Sequence, residues 1–185
     1  MAKQTKITPN FIVDTALKMA AETGWDALAM TDLAAHLKIS PTQLQSHFFD
    51  KNAIADTWFA RALDAMLQPL RDESLEDRER LEILMHRWLD ALAPHHTVTA
   101  DMLSDKMWPF HPHHWVPMIF DLSRLMQWWR DAAGMRAGGR RRQIEEIALT
   151  GIFLGTLKRW CKDDSEGQAN AKAYLAKRLS LPIFN

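Results

Sequence analysis

The stretch Met30–Ile54, MTDLAAHLKISPTQLQSHFFDKNAI, decides how the chain is read. It holds two short helical segments separated by three residues, Lys38-Ile39-Ser40. Thr31 is placed to cap the first, whose inner face is Leu33, Ala34 and Leu37. Ser40-Pro41 opens the second with a hydroxyl cap followed by proline at the first helical position, where its missing N–H costs nothing. Leu44, His47 and Phe48 form the expected buried face of that segment, and the apolar Ile39 tucks between the two helices. Asp50 then caps a longer helix from Lys51 to about Leu67, which Pro69 ends. Two short helices joined in this way make a helix-turn-helix, whose second helix enters the major groove of DNA while the first crosses the backbone.

The flanking sequence is helical as well. Thr8-Pro9 starts a helix by the same device, with Phe11, Ile12, Thr15, Ala16, Met19 and Ala20 at helical spacing and Gly24 as a left-handed cap. Beyond Ser74, Arg78–Leu92 is amphipathic and stops at Pro94, and Val98–Met107 is short. Trp108–Pro117, with three prolines and three histidines, reads as a loop or broken helix. Met118–Ala133 is helical up to a break at Gly134, Gly138 and Gly139. Gln143–Trp160 is apolar nearly all round, which predicts burial on several sides. Lys162–Gly167 reads as a polar turn with Asp163 and Asp164 solvated, and Gln168–Leu179 as a last helix before Pro182. No segment alternates as a strand would. The expectation is an all-α chain of about nine helices. Residues 1–50 form a three-helix helix-turn-helix DNA-binding domain and residues 51–185 a helical ligand-binding and dimerisation bundle, with helix 51–67 connecting the two.

Composition narrows the function. With 185 residues, 47% hydrophobic and 25% charged, the chain packs a core and is not disordered. Lys plus Arg and Asp plus Glu both number 23, a net charge of zero that excludes a polybasic nucleic-acid coat but leaves room for a small reading head. One cysteine, Cys161, excludes an internal disulfide and fits a reducing compartment. Met1–Asn10 lacks the apolar core of a secretory signal, and the longest strongly apolar run, Ile147–Leu157, is well short of the roughly 20 residues of a spanning helix. A cytoplasmic protein with no membrane partner is expected. No nucleophile–base spacing, glycine-rich phosphate loop or paired-carboxylate motif stands out, so neither an enzyme nor a cofactor is expected. His95, His96, His111, His113 and His114 are read as solvated loop histidines, because the intervening prolines prevent a regular i, i+4 metal pair.

Eight tryptophans stand beside one tyrosine, and six of the eight lie after residue 80. Large aromatics and adaptable methionines line apolar pockets. Trp88, Met107, Trp108, Phe110, Trp115, Phe120, Trp128 and Phe153 are therefore the candidate lining of a cavity for a hydrophobic small molecule, with residues 108–117 at its mouth. On Gln143–Trp160, Ile144, Ala148, Gly151 and Gly155 share a face whose small residues let two helices approach closely. Arg140, Arg141 and Arg142 open that helix, where positive charge opposes the dipole, and read as a solvated run.

Residues 30–54, with Thr31, Leu33-Ala34-Ala35, Ile39-Ser40, Leu44, Phe48 and Lys51, resemble the signature of the TetR family of bacterial transcriptional regulators. The resemblance covers about the first 60 residues. It implies that Thr31 bonds a phosphate from the start of the second helix. Pro41, Thr42, Gln43, Gln45, Ser46 and His47 then occupy the reading helix, and Lys51 meets phosphate from the start of the fourth. Physically, Gln43 and Gln45 can make paired bonds to a base edge, and Thr42 offers a hydroxyl and a methyl. The resemblance further implies a homodimer joined through the last two helices, a palindromic double-stranded operator, and an effector-binding C-terminal part. The sequence departs from the family pattern in three places. Lys38 fills a turn position usually held by glycine, where a left-handed backbone costs on the order of 1 kcal/mol. Gln45 stands where an aromatic commonly touches the backbone. Residues 1–68 carry six basic side chains against seven acidic, so modest DNA affinity and a shallow salt slope are expected. Residues 80–165, through Met107-Trp108-Pro109, Trp128-Trp129 and Asp163-Asp164, are also similar to TetR-fold lipid-binding proteins of ubiquinone biosynthesis. That second resemblance implies isoprenoid-lipid binding without DNA.

Overall fold

Hydroxyl and carboxylate caps punctuate the N-terminal third. In the computed structural model, which describes residues 7–72, 74–106 and 112–184 (and the side chains of all these except 105–106 and 112–121), Thr8 Oγ accepts from the Phe11 N–H at 3.2 Å. Pro9 then opens α1, Pro9–Thr23. Gly24 ends it at φ 87°, ψ 151°, which is outside the left-handed helical well and in a region that only glycine enters readily. The next helices are α2, Met30–Leu37, and α3, Pro41–His47. They are followed by α4, Lys51–Met66, where Asp50 Oδ1 accepts from the Ala53 N–H at 2.8 Å. The body comprises α5, Asp77–Leu92; α6, His96–Lys106; α7, Pro112–Ala132; α8, Gly139–Trp160; and α9, Ala169–Leu179. Among the described residues there are thus nine α-helices, three short 3-10 turns and no strands, which is the all-α architecture expected. No helix among them is long and apolar enough to cross a membrane.

One continuous core runs from head to body. Ile12, Leu17, Trp25, Leu33, Leu44 and Ile54 fill the head, and Leu81, Trp88, Met126, Trp129, Phe153 and Leu175 fill the body. The long helix α4 packs on both. It rests on α1 on one side and on α5 on the other. Its Trp58 donates from Nε1 to Thr99 Oγ1 of α6 at 2.9 Å, and Thr99 in turn donates to the His95 carbonyl at 2.8 Å. The His95 ring stands edge-on to Trp58, 5.6 Å between centroids.

Four sequence expectations change. Pro112–Pro117 is not a broken segment: Pro112 takes the first position of α7, where an N–H would have no intrahelical partner, and the helix continues through Pro117. Helix α6 starts at His96, two residues earlier than Val98, because the 3-10 turn Ala93–His95 runs straight into it. The arginine run is not simply solvated. Arg141 and Arg142 pair one turn ahead with Glu145 and Glu146 at 3.0 and 2.7 Å. Glu145 is itself buried and accepts from Arg130 Nε at 3.0 Å, which fastens the end of α7 to the start of α8. Asp163 is likewise buried, while Asp164 is exposed. The Asp163 carboxylate accepts from the Ser165 hydroxyl and N–H, the Asn170 amide and the Ala171 N–H, and so caps α9. Burial alone would raise its pKa, but these hydrogen bonds outweigh burial and hold it down at about 2.

A carboxyl held below its unfolded value stabilises the fold fully above about pH 4, and that contribution is lost as pH falls toward 2. Asp163→Asn keeps one acceptor oxygen but sets an NH2 against donors that the other oxygen now accepts from, and is expected to lower the melting temperature at neutral pH by about 3–6 °C. The gap to the unsubstituted protein should close between pH 4 and pH 2 in a thermal-melt series.

Candidate nucleic-acid interface

Helix α3 is seven residues long, and Leu44 is its one buried residue. Its start is set by Ser40, whose Oγ accepts from the Gln43 N–H at 3.1 Å, and by Pro41 behind it. Its end is set by Phe48, which turns extended at φ −138° and drops into the core. With Leu44 and Phe48 inside, Pro41, Thr42, Gln43, Gln45, Ser46 and His47 all face outward. His47, which could stand on the buried face or on the reading face, is exposed with the others. The helix ends at that residue, and Phe48 takes the inner position one step later.

The turn before α3 behaves as its sequence implies. Lys38 sits in the left-handed helical region at φ 57°, ψ 39°, and Ile39 is half-buried against the core. Thr31, however, is not a cap. Helix α2 begins one residue before it at Met30, behind Ala29, which offers no side-chain acceptor. Thr31 is instead an exposed residue of the first turn. Lys51 is half-buried, and its ammonium donates to the Trp25 and Asp26 carbonyls at 3.0 and 3.4 Å while lying 5.3 Å from the Trp25 ring centroid. It thus pins the α1–α2 loop to α4, with one of its three N–H bonds left for a phosphate. Sequence reasoning missed that contact, and it also missed Phe49, which is 80% exposed beside α3. Arg61 is occupied with Asp14 and Asn10. The face is therefore polar and sparingly cationic, with donors and acceptors suited to a groove edge and few charges for phosphate.

The candidate cavity residues are not gathered into one site. Trp88 and Phe153 are core residues in contact, centroids 5.3 Å apart, and Phe59 stacks on Trp88 with centroids 6.3 Å apart. Trp128 is 55% exposed, because the inward positions near the end of α7 are Met126, Trp129 and Arg130. Met107, Trp108 and Phe110 lie outside the described residues, as do the side chains of Trp115 and Phe120. A cavity of about 280 Å³ elsewhere is lined by Met135, Arg136, Ala137, Arg141, Glu145, Asp77, Ile183 and Phe184, none of them candidates. His95 and His96 are half-buried against Trp58 and Trp160 and are not solvated loop histidines. His111 and the side chains of His113 and His114 lie outside the described residues. Among those described, no three metal-ligating side chains cluster.

On α8, Ile144 and Gly151 are exposed and Ala148 is half-buried. Gly155 turns inward instead: a Cβ there would meet Tyr174 Oη of α9 at 2.6 Å, so this glycine serves packing within the chain. The solvent-facing stripe is Ile144, Ile147, Gly151 and Leu154, with Ile147 73% exposed.

A short outward-facing helix behind a tight turn, carried on a helical body, defines an all-helical protein with a helix-turn-helix head. No family model matches the chain, and no curated protein matches it. Among solved structures, it is similar to the TetR transcriptional regulator from Nitrosomonas europaea ATCC 19718, at a TM-score of 0.82 and 36% sequence identity over 94% of this chain and 96% of that one. It also shares the fold of PfmR, a TetR family transcriptional regulator from Thermus thermophilus, at a TM-score of 0.55 and 19% identity over 91% and 96% of the two chains. The chain belongs to the TetR family of transcriptional regulators. The match to the Nitrosomonas regulator favours the first resemblance over the lipid-binding one.

Replacing Lys38 by glycine removes the left-handed strain and is expected to stabilise the protein by about 0.5–1 kcal/mol, a rise of roughly 1–4 °C in melting temperature. The same change removes an exposed cation from the α2–α3 turn, so DNA affinity should fall while stability rises.

Proposed function

We propose that the chain is a homodimeric transcriptional repressor that binds palindromic double-stranded DNA through α3 and is released by a hydrophobic small molecule held in its C-terminal body. The observation that carries this reading is the outward face of α3. Six of its residues are presented to solvent by a helix that only Leu44 and Phe48 tether. Gln43 and Gln45 would read base edges, with Thr42 and Ser46 beside them. Thr31 and the remaining donor of Lys51 would contact phosphate. The exposed apolar stripe Ile144, Ile147, Gly151 and Leu154 supports a two-fold interface along α8, and two-fold pairing matches a palindromic site. Effector binding would act through α4, whose Trp58 is hydrogen-bonded to α6. A ligand that favours one setting of that joint by about 1–3 kcal/mol would change the spacing of the two heads. The protein would work in the cytoplasm, as a binding protein and not as an enzyme.

A mobility-shift series on the DNA upstream of the gene, from low to high salt, tests the DNA claim. With Lys38 and Lys51 as the nearby cations of each copy, two copies neutralise about four phosphates, so log affinity should fall against log salt with a slope near −4. Absence of any shift at low salt would contradict it. For the dimer, Ile147→Glu places a charge on the apolar stripe. Light scattering should then give a single chain of 21.3 kDa where the unsubstituted protein gives a pair.

A further inference from the structure

Among the described residues, two fully buried polar side chains of α8, Thr156 and Trp160, have no hydrogen-bond partner for Thr156 Oγ1 or Trp160 Nε1. Buried donors are almost always bonded, so each one left alone is destabilising in the free protein and calls for a partner. The two are one turn apart on the same face of the helix. Helical side chains lean toward the N-terminus, so the indole of Trp160 lies over the turn that carries Thr156. The same buried face holds Phe153, one turn further back, and Phe153 packs on Trp88. The Trp160 ring also meets His96 edge-on, 4.4 Å between centroids, and His96 Nε2 is already engaged with the Trp160 carbonyl at 2.6 Å.

We propose that Thr156 and Trp160 form the polar anchor of the effector site, taking a neutral hydrogen-bond acceptor such as a ketone or ester carbonyl on an apolar, preferably aromatic, body that lies toward Trp88 and Phe153. This deepens the ligand-responsive reading given above and rests on it. An indole N–H only donates, and a hydroxyl can donate beside it, so the pair recognises an acceptor. The acceptor is uncharged because no fully buried cation among the described residues is free to meet a charge. Arg130, the one fully buried cation among the described residues, is engaged by Glu145, Asp131 and the Ala137 carbonyl. A carboxylate would be desolvated there without a counter-charge.

The test uses the full chain, stripped of co-purified small molecules on a hydrophobic resin, and two probes of one shape, 1-indanone and indane. Calorimetric titration should show 1-indanone binding weakened five- to tenfold by Thr156→Val and by Trp160→Phe, with indane affinity unchanged within twofold. Thr156→Val, which replaces an unpartnered hydroxyl by a methyl, should leave the melting temperature of the ligand-free protein equal or higher. If both probes bind but the variants alter them equally or not at all, a cavity exists and the anchor is wrong. If the unsubstituted protein binds neither probe, the effector-site reading itself fails and the anchor falls with it. A clear drop in the ligand-free melting temperature of Thr156→Val would mean that the hydroxyl is already bonded, which also overturns the anchor.

Discussion

The insertion of Leu44 into the head core is the contact on which the rest depends. A helix of seven residues has fewer than two turns and cannot persist by itself, since nucleation is costly and so few backbone bonds follow it. Helix α3 exists because Ser40 and Pro41 fix its first turn, Leu44 ties its middle to α2 and the core, and Phe48 closes its end. Once those four residues are placed, the directions of Thr42, Gln43, Gln45, Ser46 and His47 follow from helical geometry, and all of them point away from the protein. A rigid, polar, outward face is what a groove-reading element requires.

The head is not an independent bead on a string. Helix α4 is at once the fourth wall of the head and the first beam of the body. Lys51 holds the α1–α2 loop at one end, and Trp58 joins α6 near the middle. Arg61 is fastened to α1 through Asp14 and Asn10. These contacts tie α1 to α4 and α4 to α6.

Much of this was legible from local chemistry. The caps at Thr8, Ser40 and Asp50, the left-handed Lys38 and the inner positions Leu33, Leu44 and Phe48 depend only on residues within a turn or two, and local pattern read them correctly. At the ends of α2 and α3 the local pattern misplaced Thr31 and His47 by one residue; the other failures depended on distant partners or on ambiguous signals. The Lys51 ammonium bonds to carbonyls 25 and 26 residues away. Asp163 looks like half of a solvated pair until Ala171, eight residues on, is seen to need a cap. Pro112 marks a helix start as readily as a loop, and only the backbone decides. Helix α8 is not buried on several sides as its pattern predicted: Ile144, Ile147 and Leu154 lie on an open face, and apolar residues on both faces kept the pattern from separating the covered face from the open one. Gly155 therefore looked like an intermolecular contact when Tyr174 fills that space. Trp128 and Trp129 are adjacent and alike, yet one is at the surface and the other donates from the core to the Leu81 carbonyl at 2.9 Å.

Hydrogen–deuterium exchange of the full chain, with and without the duplex from upstream of the gene, addresses the central claim most directly. Slowed exchange confined to the first turn of α2, to residues 41–47 and to the start of α4 is the predicted result. Unchanged exchange across residues 30–54 while the duplex is bound elsewhere, or slowing only along α8 and α9, would contradict the view that α3 is the element that meets DNA.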